Sequence, residues 1–478
     1  MKLSELLQGI RVLETNADME MDIEGVVYDS RKVTGGSLFV AITGFASDGN
    51  RFIPMALEKG AAVVVTAKKP EADFPYVLVE SDRLALAMLG VNYYGNPGKS
   101  MTMIGITGTN GKTSSTLLLK HILETVQGAK VGLIGTMENR IGDVVIPTER
   151  TTPESFDLQG LFAQMRDANC SHMIMEVSSH ALSLERVGGV HYDVAAFTNL
   201  TEDHLDFHGT MEAYCDAKAE LFARCEKAVA NCDDPWFDRV TAKAGCNVLK
   251  TSVAGHGDLC ARDVEMLSDG ISFTAVLGGE TAKVRLPIPG KFTVYNALTV
   301  LGIALQLGIS LADAAKALET AEGVKGRVEV VPTPGKPYTV LIDYAHTPDG
   351  LENVLSSVKD FCKGRLIAVF GCGGDRDRTK RPIMGRIGAE LADIAIITSD
   401  NPRTEVPMEI IQDIVAGLPE TAENYVVIEN RIEAIHHAMD IGQKDDIIVL
   451  AGKGHETDQE ICGVKHHLDE REVVAEYL

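Results

Sequence analysis

The sequence predicts an α/β protein in which parallel sheets are covered by helices. Short apolar, β-branched runs alternate with helical patterns along most of the chain, which is typical of α/β layers. The chain has 478 residues, and at about 100–200 residues per domain this length predicts two to four domains. Apolar residues make up 45% of the chain and charged residues 24%, so each domain can bury a core of its own.

The charge and the apolar runs exclude several classes of protein. The 68 acidic and 45 basic side chains give a formal net charge of −23, which argues against a nucleic-acid partner because that binding needs a basic face. The longest apolar runs, such as residues 61–66, are strand-sized, whereas a membrane helix needs roughly 20 apolar residues. The first residues lack the apolar core of a secretory signal, and no Cys-x-x-Cys pair occurs. We therefore expect a soluble, cytoplasmic protein with no membrane insertion.

The first segment, residues 1–98, shows fewer strands than the segments that follow it. Its strand candidates lie at residues 38–42, 62–66 and 76–79, with amphipathic stretches between them. The segment closes in the loop signal Gly95-Asn96-Pro97-Gly98.

The middle segment, residues 99–327, opens with a strand, a glycine-rich turn and a helix. The strand is predicted over residues 102–106 and the helix over 112–126, with further strands at 131–134, 172–177 and 194–198. Helices are predicted over 211–223 and 295–307, and residues 250–290 read as an antiparallel excursion. Glycine and proline cluster at 326–337, which indicates a second domain boundary.

The last segment, residues 328–478, repeats the strand–helix alternation. Its strands are predicted at residues 340–343, 366–370, 394–398, 425–428 and 447–450. Such an alternation predicts a Rossmann-like, doubly wound parallel sheet.

The most informative motif is Gly105-Ile106-Thr107-Gly108-Thr109-Asn110-Gly111-Lys112-Thr113. It follows a buried strand and opens a helix, where backbone N–H groups and the helix N-terminus can bind a phosphate. Lys112 would reach the β/γ-phosphates and the Thr113 hydroxyl would ligate Mg²⁺. The strict P-loop pattern would place glycine at Ile106, so the spacing differs from it. The alternative is a glycine-rich turn that binds nothing, but the context favours a P-loop-type mononucleotide-binding sheet.

The local sequence pattern does not decide the role of three further features of the middle segment. Glu176 ends a buried strand, where it is either a metal ligand or a carboxylate turned to water. The polar loop at 199–209, which contains His204, suits metal or phosphate binding but equally a helix cap. Lys218 cannot be distinguished from an ordinary surface lysine on a helix.

Four strands of the last segment end in polar loops. The loop Gly371-Cys372-Gly373-Gly374-Asp375-Arg376 begins like a dinucleotide fingerprint, but its sixth position is Arg376 instead of Gly or Ala. An arginine there suits a carboxylate or phosphate, unless the turn is merely solvated. The other loops lie at residues 344–348, 399–405 and 451–456. Because doubly wound sheets bind ligands at the carboxyl ends of their strands, the four loops together indicate a site.

Taken together, these segments resemble the Mur ligases, ATP-dependent enzymes that add amino acids to the cytoplasmic peptidoglycan precursor. The resemblance covers nearly the whole chain, and Gly108-Thr109-Asn110-Gly111-Lys112-Thr113 is similar to that family's phosphate loop. It implies three domains with the boundaries given above, and Mg²⁺ held by Thr113, Glu176, His204 and a carbamylated Lys218. The implied catalytic residues are Lys112, Glu176, His204 and Lys218.

The resemblance also implies sites for ATP and for a UDP-muramoyl dipeptide. The ATP contacts would be Gly108, Thr109, Asn110, Gly111, Lys112, Thr113, Ser114, Asn296, Arg327, Asp343 and His346. The precursor contacts would be Ser30, Thr151, Thr152, Ser178 and Arg186. Some relatives carry Asn where this chain has Arg150 and Gln where it has Leu184.

Asp400-Asn401-Pro402-Arg403 resembles the signature of the branch that adds meso-diaminopimelate. Arg376 and Arg403 would hold the distal carboxylate, with Gly452 and Glu456 on the distal ammonium. We expect a monomer that acts only on small molecules. A lysine-adding ligase, a folate polyglutamate ligase and a P-loop ATPase stay open as alternatives. An NAD(P)-binding dehydrogenase is disfavoured by the failed fingerprint at 371–376.

Overall fold

The computed structural model describes residues 1–44, 48–71, 73–148, 150–267 and 269–478. They form two compact units, one of residues 1–259 and 299–310, the other of residues 260–298 and 311–478. The first unit contains the N-terminal sheet and the parallel sheet of the phosphate loop. The second contains a further parallel sheet near the C-terminus. Among the described residues, no helix combines the length and the apolar character that a membrane crossing requires.

The N-terminal sheet has five strands in the order β1-β5-β4-β3-β2, parallel except for β1. Its strands are β1 (Val12–Thr15), β2 (Gly25–Val27), β3 (Ser37–Ala41), β4 (Val63–Thr66) and β5 (Tyr76–Val79). Its helices are α1 (Leu3–Leu6), α2 (Ile53–Glu58) and α3 (Asp82–Tyr93). The three predicted strands are present, whereas β1 and β2 were missed because they are short and only partly buried.

The second sheet of this unit includes the strands in the order β13-β12-β11-β6-β10-β7-β8-β9. They are β6 (Thr102–Thr107), β7 (Val131–Ile134), β8 (Asn139–Ile141), β9 (Val144–Ile146), β10 (His172–Glu176), β11 (Tyr192–Phe197), β12 (Cys225–Asn231) and β13 (Val248–Ser252). The helices are α4 (Lys112–Gln127), α5 (Ser155–Asp167), α6 (Ser179–Ser183), α7 (Leu205–His208), α8 (Met211–Ala219) and α9 (Phe237–Val240). The predicted strands and the helix after the glycine-rich turn are confirmed. The β8–β9 hairpin, β12 and β13 were not predicted.

Strand β6 lies between β10 and β11 and is parallel to both. Glu176 is in register with Ile106 on one side, and Phe197 is in register with Thr107 on the other. The segments that follow these three strands therefore emerge side by side at one edge of the sheet.

The second unit begins with the antiparallel excursion predicted at 250–290. Its strands are β14 (Leu259–Leu267), β15 (Gly270–Leu277) and β16 (Glu280–Leu286). They are followed by α10 (Lys291–Gln306), whose residues from 299 onward belong to the first unit, and by α11 (Leu311–Leu318). Strands β15 and β16 pair antiparallel, so the predicted direction is confirmed.

The C-terminal sheet has six strands in the order β17-β18-β22-β19-β20-β21, parallel except for β17. The strands are β17 (Glu329–Val331), β18 (Thr339–Asp343), β19 (Leu366–Phe370), β20 (Ile394–Ile397), β21 (Tyr425–Val427) and β22 (Ile447–Ala451), and the hairpin β23 (Asp458–Ile461) and β24 (Val464–His467) follows. The helices are α12 (Pro348–Lys359), α13 (Lys380–Leu391), α14 (Pro407–Val415), α15 (Arg431–Ile441) and α16 (Glu470–Glu476).

Strand β19 shows why this sheet is doubly wound. Leu366, Ala368 and Phe370 pack into a core with α12, α13 and α14. Ile367 and Val369 point to the other face and pack with α15 and α16. Since alternate residues of a strand face opposite sides, a continuously apolar strand requires helices on both faces. The five predicted strands are confirmed, and β17 and the hairpin were missed.

Candidate active site

The phosphate loop joins β6 to α4, and its backbone requires glycine at two positions. Gly108 has φ +150°, and Gly111, which precedes the first residue of α4, has φ +84°. Both values lie in the region that favours glycine. A Cβ at Gly108 would overlap Oγ1 of Thr198 at the end of β11. The loop therefore lies directly against the end of the neighbouring strand.

The N–H groups of the loop are not all directed to one place. The Thr109 N–H donates to the Asn199 carbonyl (2.9 Å) and the Asn110 N–H to Asn199 Oδ1 (2.9 Å). Thr198 Oγ1 in turn donates to the Asn110 carbonyl (2.7 Å). A phosphate would therefore be bound mainly by the N–H groups of the first turn of α4, which includes Ser114. Asn199, which sequence reasoning missed, fixes the shape of the loop.

Glu176 is a structural neighbour of the loop instead of a carboxylate turned to water. It is 1% exposed, and its Oε1 accepts from Thr113 Oγ1 (2.9 Å) and from the Thr136 N–H (2.9 Å). Its Oε2 accepts from Thr136 Oγ1 (3.0 Å). Lys112 Nζ donates to the Gly108 and Thr109 carbonyls (2.9 and 2.8 Å). The hydroxyl and the carboxylate are hard oxygen donors, which suit Mg²⁺.

Lys218 is not a surface lysine, since it lies on α8 and is only 1% exposed. Its Nζ donates to the Gly108 carbonyl (2.9 Å) and lies 4.4 Å from the centre of the Tyr214 ring. Burial, followed by the nearby Lys112 ammonium, holds the pKa of Lys218 well below its ordinary value. Lys218 therefore lies buried against the phosphate loop, with its Nζ on the Gly108 carbonyl.

His204 lies at the start of α7 in the left-handed conformation, with φ +53°. Its ring is 4.8 Å from the ring of His180 and 6.2 Å from that of Tyr214, centre to centre. Tyr214 thus contacts both predicted metal residues on this side, His204 and Lys218, and its hydroxyl lies 3.2 Å from Thr109 Oγ1. Sequence reasoning missed His180 and Tyr214, which precede no glycine-rich turn and carry no motif.

Four of the five predicted precursor contacts form one network. Thr152 Oγ1 donates to the Glu176 carbonyl (2.9 Å), and the Ser178 N–H donates to Thr152 Oγ1 (3.3 Å). Arg186 Nη1 donates to the Thr152 carbonyl (3.2 Å), and Thr151 Oγ1 lies 3.1 Å from the hydroxyl of Thr136. Ser30 is buried in the N-terminal segment, 3.5 Å from the Met55 sulfur, and has no direct hydrogen bond to these four in the described part of the chain.

Next to this network, three arginines surround one carboxylate. Glu154 lies 3.6 Å from Arg186, 3.7 Å from Arg83 and 3.9 Å from Arg150. Arg83 also donates to the Leu184 carbonyl (3.4 Å). Burial lowers the pKa of Arg186, with Glu154 acting in the opposite direction. Arg150 and the Leu184 carbonyl therefore both lie at a locally cationic cluster.

In the second unit, the loops after β20 and β22 meet in a buried polar cluster. Asn401 Nδ2 donates to Glu456 Oε2 (2.9 Å), and Lys453 Nζ donates to Asn401 Oδ1 (3.2 Å). Lys453 is fully buried and lies 3.4 Å from Glu456. Asp400 accepts from the Asn401 N–H through Oδ1 (2.6 Å), whereas its buried Oδ2 has no hydrogen-bond partner among the described residues. Lys453 was not predicted as a site residue.

Arg403 lies in the loop after β20, with its backbone in the left-handed conformation (φ +50°). Its Nη1 donates to the Gly374 carbonyl (2.7 Å), and its Nε lies 3.3 Å from Glu460. A Cβ at Gly373 would lie 2.9 Å from Arg403 Nη1 and 3.9 Å from Cγ of Arg376. The two predicted arginines therefore both lie beside Gly373, and Arg376 is exposed to solvent. Pro402 carries the chain between Asn401 and Arg403.

Gly452 lies directly beside the Asp400 carboxylate, where there is no room for a side chain. Its φ is +121°, and a Cβ would lie 2.5 Å from Asp400 Oδ2. Behind it, the fully buried Arg431 donates to Glu470 (2.8 Å) and to the Ala451 carbonyl (2.9 Å). The absence of a Cβ leaves the Asp400 oxygen open on that side.

The remaining predicted ATP residues of this unit lie on separate segments, with Asp343 at the end of β18. Asp343 accepts from the N–H groups of Val328 (2.8 Å) and Ala345 (2.8 Å), and burial raises its pKa. The Arg327 guanidinium lies 5.4 Å from the centre of the Tyr344 ring, and the His346 ring lies 4.6 Å from it. Asn296 lies on α10 and is buried. Tyr344 joins Arg327 to His346, which sequence reasoning did not foresee.

Family models match three stretches that together span most of the chain. Residues 22–91 match the Mur ligase family, catalytic domain, residues 106–304 the Mur ligase middle domain, and residues 326–454 the Mur ligase, glutamate ligase domain. The chain belongs to the Mur ligase family. The predicted resemblance is thereby confirmed.

Individual Mur ligases are similar over the full length. A UDP-N-acetylmuramoyl-L-alanyl-D-glutamate–2,6-diaminopimelate ligase of Clostridium tetani is 48% identical, covering 100% of this chain and 99% of its own. The corresponding ligase of Clostridium botulinum is 49% identical over 96% of this chain and 95% of its own.

Solved structures agree with this assignment. A UDP-N-acetylmuramoyl-L-alanyl-D-glutamate–2,6-diaminopimelate ligase structure has a TM-score of 0.77 and 31% identity, covering 100% of this chain and 98% of its own. A D-alanyl-D-alanyl-adding Mur ligase of Acinetobacter baumannii, at 20% identity and a TM-score of 0.60, covers 94% of this chain and 95% of its own and shows the shared fold. Membership of the Mur ligase family identifies the chain as a ligase, whereas the role of each site residue stays a prediction.

Proposed function

We propose that this Mur ligase joins meso-diaminopimelate to UDP-N-acetylmuramoyl-L-alanyl-D-glutamate and converts ATP to ADP and phosphate as it does so. The observation that carries the proposal is the full-length similarity, at 48% identity, to a ligase named for that substrate pair. The buried polar cluster at Asp400, Asn401 and Glu456 supports it, since such a cluster suits a zwitterionic amino acid.

Diaminopimelate differs from lysine by a distal carboxylate, so specificity requires a cation that faces it. Arg403 supplies a planar guanidinium of which Nη1 and Nε are held by Gly374 and Glu460. Arg376 also lies beside Gly373 and is exposed. The partnerless Oδ2 of Asp400, beside Gly452, together with Glu456, would accept from the distal ammonium. A site that pairs a charge rejects the analogue without it, because the buried partner is then left unpaired.

The first half-reaction forms an acyl-phosphate. The glutamyl carboxylate of the precursor attacks the γ-phosphorus of ATP, the bond to the bridging oxygen breaks, and ADP leaves. Lys112 and the N-terminus of α4 orient the phosphates, and Arg186 with the hydroxyls of Thr152 and Ser178 holds the precursor. Asn296, Arg327, Asp343 and His346 complete the ATP contacts in this proposal.

The second half-reaction forms the amide bond. The amine of diaminopimelate attacks the acyl carbon and gives up a proton to solvent, and the tetrahedral intermediate expels phosphate. When bound by Thr113, Glu176, His204 and the carbamate of Lys218, Mg²⁺ would supply positive charge against the phosphoryl oxygens. The protein itself contributes positioning and preorganised charge.

The burial of Lys218 supports its carbamylation. A neutral amine attacks CO₂, a carbon–nitrogen bond forms, and one proton is released to solvent. The resulting carboxylate would replace an amine whose pKa burial lowers. The domain boundaries at residues 98 and 327, the monomeric state and the cytoplasmic location belong to the same proposal.

The decisive assay measures phosphate release by the purified chain with ATP, Mg²⁺ and the UDP-muramoyl dipeptide. We expect release only when diaminopimelate is added, with the tripeptide product identified by mass spectrometry. Release that is independent of any amino acid would refute the ligase proposal and favour an ATPase. A preference for lysine would refute the specificity alone.

A further inference from the structure

A second cluster of side chains of the kinds that bind metals lies in the first unit and contains neither Thr113 nor Glu176. It consists of Cys232 and Asp233, which directly follow β12, and His256, in the turn after β13. The ligand atoms of these three residues all lie within 4.8 Å of one another. We call it the Cys232 cluster.

The carboxylate of the Cys232 cluster is fixed from behind. Asp233 Oδ1 accepts from Ser252 Oγ (2.6 Å), and Oδ2 accepts from the N–H groups of Val253 (2.7 Å) and Ala254 (3.0 Å). Hydrogen bonds of this kind orient the carboxylates that ligate metals in proteins. The carboxylate is thus held in one place before any ligand arrives.

The turn at residues 252–257 carries His256 back to this carboxylate. Ser252 Oγ accepts from the N–H groups of Gly255 (2.9 Å) and His256 (3.2 Å), and Gly255 has φ +93°. The Asp258 N–H then closes the turn on the Lys250 carbonyl (2.8 Å). His256 Nε2 ends 3.2 Å from Asp233 Oδ1.

We propose that Cys232, Asp233 and His256 bind a transition-metal ion of the zinc class. The donor set combines sulfur, nitrogen and oxygen, which suits Zn²⁺ or Co²⁺ but not Mg²⁺, whose ligands are oxygens. With bonds of about 2.0–2.3 Å, tetrahedral ligand atoms lie roughly 3.3–3.8 Å apart. The histidine and the aspartate are already close to that separation, and half-buried Cys232 completes the set with a small side-chain adjustment.

Three protein ligands leave the fourth position of the metal to water, so the ion should exchange readily. The Cys232 thiol loses its proton to solvent when it binds, which makes the affinity rise with pH. The site shares no residue with the proposed magnesium ligands Thr113, Glu176, His204 and Lys218.

The test is a titration of the metal-free, full-length chain with Co²⁺, followed by absorbance. We expect one equivalent to produce a thiolate-to-cobalt charge-transfer band and the intense visible bands of tetrahedral cobalt. Cys232→Ser should abolish the charge-transfer band, and His256→Ala should weaken binding at least about tenfold. Excess Mg²⁺ should not displace the ion.

Two variants serve as matched controls. Cys246→Ser removes a thiol whose sulfur lies 4.0 Å from that of Cys225, and His191→Ala removes a histidine 3.5 Å from Glu226. Neither should change the cobalt spectrum. A spectrum without a thiolate band, or a band that survives Cys232→Ser and disappears in Cys246→Ser, would overturn the proposal.

A second measurement uses the unmodified chain and does not depend on the folding of a variant. Alkylation by iodoacetamide, mapped by peptide mass spectrometry, should be slowed by Zn²⁺ at Cys232 and unchanged at the exposed Cys462. Equal rates at Cys232 with and without Zn²⁺ would refute the site. Activity of the ligase enters neither test, so failure here leaves the proposed function untouched.

Discussion

Replacing Arg403 by alanine tests the proposed specificity of the amino-acid site. The side chain is 22% exposed, and Nη1 and Nε are held by the Gly374 carbonyl and by Glu460. Hydrogen bonds to a charged group contribute about 1.5–3 kcal/mol, and about 1.4 kcal/mol corresponds to tenfold. We therefore expect Arg403→Ala to raise the KM for diaminopimelate by roughly 10- to 150-fold.

The assay is phosphate release with saturating dipeptide, in which diaminopimelate, lysine and ATP are varied in turn. The KM for ATP should change little, and the preference for diaminopimelate over lysine should fall by about the same factor. Arg378→Ala is the matched control, because Arg378 is exposed and its partner Glu405 retains its ion pair with the buried Arg381. Equal increases in both KM values, or an unchanged KM for diaminopimelate, would refute the reasoning.

Three further changes have defined outcomes. Lys218→Ala should lower kcat by about 10²–10³, and formate should restore part of it in Lys218→Ala but not in Lys218→Arg; insensitivity to formate would contradict carbamylation. Arg431→Met strands the buried Glu470, so urea denaturation should show a loss of about 3–5 kcal/mol; a loss under about 1 kcal/mol would count against this pairing. Hydrogen bonds from Arg381 and a backbone N–H lower the pKa of Glu405 from 4.5 to about 2. The contribution of the ionised Glu405 to the free energy of unfolding is therefore complete above pH 4.5 and lost toward pH 2. Glu405→Gln should flatten the pH dependence of this free energy between these two pH values, and an unaltered profile would contradict the assigned role of Glu405.

The strands that sequence reasoning found share one property, and those it missed share another. Strand β19 is buried at every residue, and its apolar run is visible without any structure. The exposed hairpin of β23 and β24 contains charged and polar residues, and its pairing comes from the turn and the cross-strand hydrogen bonds. A strand that is buried on both faces consists of apolar residues and can be recognised from the sequence, whereas a strand that pairs at an exposed edge has no such composition.

The same contrast applies to the candidate site. The phosphate loop was recognisable because glycine at 108 and 111 meets a backbone requirement that few other residues can meet. Lys218 carried no local signal, because its burial results from the packing of α8 against the loop and from its bond to the Gly108 carbonyl. Family resemblance, not spacing, brought it into the prediction.

By itself, the sequence determined the alternation of strands and helices, the phosphate loop and the strand-end positions of Glu176 and Arg403. Each of these follows from local backbone chemistry or from the period of apolar residues. Only the tertiary structure decided that Lys218 is buried, that Lys453 joins Asn401 to Glu456, and that His256 returns to Asp233. Those contacts join residues that are distant along the chain, and a contact of that kind is set by packing, which no local pattern encodes.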